Sequence, residues 1–285
     1  MISATLVSIG SSLSNRPLST LDKSLITAST SLFALLISPA SGLLADSLGR
    51  KKVILLADVL FVLGAVIQAI TTSVWGMIIG RSIVGLAVGA ASFVVPLYIA
   101  ELAPAKFRGR LVTLNVLFIT LGQVVAYLIG WRFAESGGEN GWRWMVGLGA
   151  VPAGVQCIVM VLMPESPRWL VKVGKSVEAK AVLQKVFGAT SELQNMVQVI
   201  LQGIEREVRE EEVARKTRSR DKALKRDKFS IFSMDDSWSE LFQVPGNRRA
   251  LTIACLLQGL QQLCGFVRSL SHIYFAITSL SCSSG

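Results

Sequence analysis

Long apolar segments alternate with short polar breaks along the first 163 residues of the chain. Residues 1–13 are apolar but too short to cross a hydrocarbon core, which needs about 20 residues. We interpret them as the end of a helix whose beginning is absent. Longer segments predict membrane helices over residues 25–45, 53–72, 75–99, 111–131 and 142–163. The pattern therefore predicts an all-α protein that crosses a membrane several times.

The alternation of apolar and polar positions changes at Pro164. A short amphipathic helix is predicted over residues 177–187, and Ser191 with Gln194 forms a capping box for a second helix. The apolar positions of this second helix recur on one face, at Leu193, Met196, Val197, Ile200, Ile204 and Val208. The mixed charges of residues 205–228 are typical of a solvated helix or a mobile linker.

These patterns divide the chain into three parts. They are an N-terminal membrane half over residues 1–163, a cytoplasmic helical linker over 164–249, and the start of another membrane helix with a divergent tail over 250–285. The third part carries Gln258, Gln261 and Gln262 in an apolar stretch. Amides in hydrocarbon need hydrogen-bond partners, so a polar cavity on that face is predicted, with amide bonds between packed helices as the alternative.

Composition agrees with a membrane protein, because 51% of the 285 residues are hydrophobic, 17% are charged, and the mean hydropathy is +0.53. The net charge of +10 could indicate a nucleic-acid partner. However, the cations cluster at the ends of apolar segments, so orientation in the membrane explains them and no nucleic acid is predicted. The cysteines have no metal-type spacing, and neither a disulfide nor a metal site is predicted; they are Cys157, Cys255, Cys264 and Cys282.

Charge also predicts the orientation of the helices. The basic loops at residues 50–52 and 106–110 fall on the same side, which the positive-inside rule makes cytoplasmic. Tryptophans near the opposite interface support the same topology, namely Trp75, Trp131, Trp142 and Trp144.

One cation lies inside an apolar segment. Arg81 shares a helical stripe with Gly85 and Gly89, and such small residues let a neighbouring backbone approach closely. A guanidinium within the membrane is expensive, so Arg81 is a candidate functional residue. The alternative is that Arg81 reaches the interface or makes a structural pair. No nucleophile with a nearby base and no phosphate-binding loop is found, so an enzyme is not predicted.

Several separate motifs resemble the sugar porter branch of the major facilitator superfamily. They are GLLADSLGRKK at residues 42–52, RSIVGLAVG at 81–89, PLYIAELAP at 96–104 with RGR at 108–110, PESPRWL at 164–170 and QQLCG at 261–265. Within that branch, residues 141–153 and 256–266 look most like fungal-type myo-inositol transporters.

This resemblance implies two six-helix halves that rock around a substrate held near the midplane of the membrane. It implies secondary active transport of myo-inositol or a related sugar or polyol, by proton symport and without a cofactor. The expected location is a lipid bilayer, as a multi-pass protein of the plasma membrane. The sequence leaves the oligomeric state open.

The resemblance also implies roles for individual residues. Gln261 and Gln262 match the paired glutamines that contact sugar hydroxyls on the seventh helix of the family, and Gln123 on the fifth helix is a further substrate-binding candidate. Packing between helices is the alternative for each amide. Arg81 matches an arginine that pairs, in proton-coupled members, with an aspartate on the first helix.

A cytoplasmic gate is implied as well, with a simple turn that carries stop-transfer charges as the alternative. The loop contributes Asp46, Arg50 and Lys51 to an expected charge network. The other members come from the motifs that follow it, at Glu101, Arg108, Arg110, Glu165 and Arg168.

The chain also departs from the family. Most of helix one is missing, the similarity ends at Phe266, and nothing resembles helices eight to twelve. We therefore expect an incomplete fold, truncated at both ends by a shifted reading frame, a retained intron or a shortened gene model. The alternative function is a non-transporting membrane fragment, either a nutrient sensor or a regulator of a full-length carrier.

Overall fold

The computed structural model of the chain describes residues 19–104, 106–136, 141–187 and 191–224, together with 248, 249, 252, 253, 255, 256 and 260. The helices are α1 (Thr20–Leu48), α2 (Arg50–Ile70), α3 (Val74–Leu102), α4 (Arg108–Ser136), α5 (Gly141–Leu148), α6 (Ala150–Leu162), α7 (Pro167–Lys172), α8 (Ser176–Phe187) and α9 (Ser191–Leu224). Helices α1 to α4, and α5 with α6 together, are long and apolar enough to make five membrane spans. The predicted all-α, multi-pass architecture is confirmed.

Contacts divide the chain into a unit that ends at Arg215 and a second unit from Lys216 onward. In the second unit the hydroxyl of Thr252 donates to the carbonyl of Arg248, at 2.8 Å. The predicted domain boundaries at residues 163 and 249 stay predictions.

Helix α1 begins five residues earlier than its apolar pattern predicts. The Ser19 hydroxyl accepts from the N–H of Asp22, and the Asp22 carboxylate accepts from the N–H of Ser19, each at 3.2 Å. This capping box satisfies amides that would otherwise lack partners. The polar residues before Leu25 are therefore the first turn of the helix, and the predicted start was wrong.

The α1–α2 junction is a single residue, Gly49, with φ of +102°. That backbone conformation favours glycine. A Cβ atom at this position would also lie 2.5 Å from Oε2 of Glu165. The turn thus brings the start of α2 against the segment that precedes α7.

Helices α1 and α3 approach closely along the predicted stripe of small residues. A Cβ at Gly85 would lie 2.4 Å from the carbonyl oxygen of Thr30, and one at Gly89 would lie 2.5 Å from that of Ala34. Both neighbours belong to the backbone of α1, so neither can turn aside. The glycines therefore allow α3 to pack against α1, as predicted.

At the opposite end of the bundle, the guanidinium of Arg143 closes the carboxyl end of α2. It donates to the carbonyls of Ala69 and Thr71, at 2.9 and 2.8 Å, and lies over the ring of Trp142. Trp142 is fully buried with Ile26, whereas Trp75 and Trp144 are exposed. Trp142 is thus a packing residue, and the exposed pair has the exposure expected of an aromatic belt.

Helices α7, α8 and α9 share a separate apolar cluster. Its buried members are Leu170, Ala179, Val182, Leu183, Val197 and Leu201. The predicted face of α9 is confirmed at Val197, Ile200 and Ile204, which are buried or pack against the cluster. Met196 is 49% exposed, because the buried face is centred between Val197 and Leu201.

Candidate functional site

Arg50 is the centre of a charge network at the end of the bundle where α1 ends and α2 begins, called the basic end below. Its Nη2 atom lies 3.0 Å from Oε1 of Glu101 and 3.0 Å from Oδ1 of Asp46. Its Nη1 atom donates to the carbonyl of Ala45, at 3.0 Å. The side chains of Arg50 and Glu101 are each 6% exposed, whereas that of Asp46 is 49% exposed. The network therefore combines one buried ion pair with one at the surface.

The second oxygen of Glu101 accepts a hydrogen bond from the hydroxyl of Ser166. Ser166 is fully buried, and it is also the N-cap of α7, where its hydroxyl accepts from the N–H of Trp169. Nearby, the Tyr98 hydroxyl donates to the carbonyl of Pro164, at 2.6 Å. The end of α3 is thereby fixed to the segment that leads into α7.

Glu165 connects the same segment to α2. Its Oε1 atom accepts from the N–H of Lys51, at 2.9 Å, and from the N–H of Ser166, at 3.0 Å. A carboxylate at the first turn of α2 also interacts favourably with the helix dipole. The ammonium of Lys51 donates to the carbonyl of Val161, at 2.8 Å, at the end of α6.

Asp46 joins α1 to α7. One of its carboxylate oxygens pairs with Lys172 at 3.0 Å, and its carbonyl accepts from the indole N–H of Trp169, also at 3.0 Å. Lys172, Trp169 and Ser166 were missed by sequence reasoning. All three lie in or beside the PESPRWL motif, whose proximity to the first loop no local pattern indicates.

The structure brings together Asp46, Arg50, Lys51, Glu101 and Glu165, which we call the Arg50 network. The other three predicted members lie outside it. Arg168 pairs with Glu207, at 3.7 Å, and with Glu211, and so connects α7 to α9. Arg108 and Arg110 are exposed at the start of α4 and make no ion pair with any described residue.

Arg81 is buried within the membrane-spanning part of α3, 8% exposed. Its Nε atom and the Thr30 hydroxyl on α1 are both buried without a hydrogen-bond partner among the described residues. The resemblance expects the acidic partner on the family's first helix, most of which is missing from this chain, and its remnant at residues 1–13 lies outside the described ranges. Gln261 and Gln262 also lie outside them, whereas Gln123 is described and is exposed on α4.

A cavity of about 490 Å³ lies between α2, α3, α4 and α6, within the predicted membrane region. Each helix contributes one polar side chain, from Asp58, Ser92, Asn115 and Gln156. Asp58 is 6% exposed, and its Oδ2 atom has no hydrogen-bond partner in the described part of the chain. The rule that singled out Arg81 could have found Asp58, because both are charged residues inside apolar segments.

Replacing Asp58 by asparagine is expected to raise the free energy of unfolding by about 1 to 3 kcal/mol, since an uncompensated acid in a span is costly. Thermal unfolding of the two proteins in the same detergent measures the difference. Asp46→Asn is the comparison, because it makes the same substitution at an aspartate that has partners. It is expected to be less stable than the unaltered protein, since it weakens the ion pairs with Arg50 and Lys172. A loss of stability in Asp58→Asn would show that this carboxylate has a stabilising partner.

Five apolar spans, the first two joined at Gly49, with a buried charge network at one end, define a multi-pass membrane fold. The sequence profile described as "Sugar (and other) transporter" matches residues 3–276, and the chain belongs to this family. The predicted family is thus confirmed.

Two fungal relatives and one solved structure illustrate the similarity. The chain is 40% identical to Myo-inositol transporter 1 of Candida albicans, over 97% of this chain and 46% of the relative. It is 38% identical to Myo-inositol transporter 1 of Saccharomyces cerevisiae, over 97% of this chain and 44% of the relative. The chain spans about half the length of the curated relatives it matches.

The fold is similar to that of XylE, a major facilitator superfamily proton:xylose symporter solved with 6-bromo-6-deoxy-D-glucose. The TM-score is 0.67 at 30% identity, covering 77% of this chain and 50% of the symporter. The predicted major facilitator superfamily fold is thus confirmed.

Proposed function

We propose that the chain serves secondary active transport of myo-inositol or a related polyol, by proton symport and alternating access between two membrane halves. The observation that carries this proposal is the Arg50 network, whose buried ion pair connects α2 to α3 at one end of the bundle. The fold that contains it is similar to that of a proton:xylose symporter. The names of the fungal relatives support myo-inositol as the substrate. The plasma membrane is the proposed location, a proton the coupling ion, and no cofactor or catalytic activity is part of the proposal.

The Arg50 network suits alternating access because it connects α2, α3 and the segment before α7, which would have to move together. Arg50 on α2, Glu101 on α3 and Ser166 before α7 are connected through buried polar contacts. Buried charges are costly to separate, so these elements are expected to move as one body. Relative motion would then occur where this body meets the second half of the carrier. Arg168 would couple α9 to the same movement through its pairs with Glu207 and Glu211.

Substrate recognition would use neutral amides. A polyol presents hydroxyl donors and acceptors, and an amide supplies both without a net charge. Gln123 is exposed on α4, where it is free to meet a ligand, and Gln261 and Gln262 are proposed to share the site. Arg81, buried with an unpartnered Nε among the described residues, is the proposed partner of a proton-carrying acid.

The test uses a chimera, because the chain matches about half of each relative. Residues 20–224 replace the matching segment of the Saccharomyces cerevisiae transporter in a yeast strain without its own inositol uptake. Labelled myo-inositol is expected to enter faster than glucose. Gln123→Ala is expected to raise the KM for myo-inositol about tenfold, since a lost hydrogen bond to a ligand costs roughly 1 to 1.5 kcal/mol.

Gln194→Ala is the matched control, because Gln194 is an exposed amide on α9, outside the predicted membrane helices. It should leave uptake kinetics unchanged. Equal KM values in the chimera, its Gln123→Ala variant and its Gln194→Ala variant would exclude Gln123 from the substrate site. A chimera that reaches the membrane but transports neither solute would contradict the transport proposal and favour a regulatory role.

A further inference from the structure

An apolar groove of about 440 Å³ lies between the last turns of α3 and the first turns of α4, at the basic end. Its lining is mostly apolar and includes Ile99, Leu102, Leu111, Leu114, Phe118 and Val186. Leu111, Leu114 and Phe118 follow helical spacing along one face of α4 and remain 39%, 45% and 63% exposed. The groove is therefore open along α4 and would favour a hydrocarbon chain over water.

Basic residues lie at the start of α4 and in the loop before it, next to the apolar residues of α4 that line the groove. Arg108 precedes Leu111 by three residues and Arg110 precedes Leu114 by four, so each arginine lies one turn before a lining residue, and the two flank the lining face of α4 on opposite sides. Lys106 lies beside them in the loop, with its ammonium 5.8 Å from the exposed ring of Phe107.

These cations differ from Arg50 and Lys172 in that no described carboxylate pairs with them. Arg50 and Lys172 each meet a carboxylate at 3.0 Å. Lys106, Arg108 and Arg110 form no ion pair with any residue that the structure describes. A group of unpaired cations beside an open apolar groove is complementary to a molecule with an anionic head and a hydrocarbon chain.

We propose that this groove binds one anionic glycerophospholipid, with an acyl chain along α4 and the phosphate on Arg108 and Arg110. Guanidinium groups bind phosphate oxygens in a bidentate manner, which an ammonium cannot reproduce. Lys106 supplies a further charge for the head group. Phosphatidylcholine has the same chains, but its own cation offsets the phosphate, so it binds more weakly. The site is independent of the transport proposal.

The test is native mass spectrometry of the full chain in detergent, with phosphatidylserine or phosphatidylcholine of identical acyl chains. Phosphatidylserine is expected to be retained about tenfold more strongly at the first bound position, since each basic residue adds to the attraction for anionic lipid. Equal retention of the two lipids by the unaltered chain would overturn the proposal, whatever the variants do.

Variants then locate the site. Arg108→Gln with Arg110→Gln is expected to abolish the preference for phosphatidylserine. Lys52→Gln with Lys180→Gln removes the same charge elsewhere and should preserve it. Leu114→Trp, which fills the groove, should weaken retention of both lipids. A preference that survives the arginine changes, or that the control pair loses equally, would contradict the proposed site.

A final arm distinguishes a lipid from free phosphate. Inorganic phosphate and glycerophosphoserine carry the anionic head without acyl chains. Neither is expected to displace bound phosphatidylserine at concentrations that leave ionic strength unchanged. Displacement by either one would show an anion site in which the apolar groove has no part, contrary to the proposal.

Discussion

Replacing Arg50 by methionine is expected to lower the free energy of unfolding by about 3 to 5 kcal/mol, because it leaves a buried carboxylate without its cation. Glu101 is 6% exposed in its side chain, so water does not replace the lost partner. The Ser166 hydroxyl would remain as a neutral donor to the other oxygen. Thermal unfolding in detergent, followed by tryptophan fluorescence, measures the change.

Lys172→Met is the matched control. Lys172 pairs with Asp46 at the surface, with side chains 36% and 49% exposed, and such pairs contribute about 0 to 1 kcal/mol. The double variant Arg50→Met with Glu101→Gln should recover part of the lost stability, since neither charge is then left alone. If Arg50→Met and Lys172→Met lowered the free energy of unfolding equally, burial would not increase the contribution of the Arg50–Glu101 pair.

Replacing Gly89 by alanine is expected to destabilise the protein by about 1 to 3 kcal/mol through overpacking. The added Cβ would lie 2.5 Å from the carbonyl oxygen of Ala34 and 2.7 Å from its Cα. These atoms belong to the backbone of α1, so the helices must separate to admit the methyl group. The same thermal unfolding experiment measures the effect.

Gly122→Ala provides the comparison on α4, because no atom beyond the neighbouring backbone of its own helix lies within 4 Å of a Cβ built there. Alanine forms helix more readily than glycine by up to about 1 kcal/mol, so this change should be neutral or stabilising. If both substitutions had the same effect, close contact between α1 and α3 would not be what retains glycine at position 89.

Hydropathy predicted most of the fold, since burial in a bilayer requires long apolar helices and polar connections. Hydropathy did not predict the start of α1, because the charged Asp22 lies in the first turn of the helix and forms part of its capping box. The buried face of α9 was placed partly wrong, since Leu201 is buried while Met196 is exposed. Helical spacing restricts the apolar positions to one side of the helix. Packing against the neighbouring helices determines which of those positions are buried.

The charge network was predictable only in part. The motifs supplied Asp46, Arg50, Lys51, Glu101 and Glu165, but no local pattern shows that Glu101 meets Ser166 across 65 positions of sequence. Arg108 and Arg110 were grouped with these residues because they belong to a neighbouring motif. In the structure they lie outside the Arg50 network, exposed in the first turn of α4. The roles of Gln123, Gln261, Gln262 and Arg81 stay predictions.

The measurement that tests the transport proposal most directly is labelled myo-inositol uptake by the chimera in proteoliposomes, with and without an imposed proton gradient. We expect accumulation above the external concentration only when the outside is acidic, and its collapse on adding a protonophore. Uptake that reaches equilibrium without regard to the gradient would contradict proton symport. Absence of any uptake by correctly inserted protein would contradict the assignment of this chain to a polyol carrier.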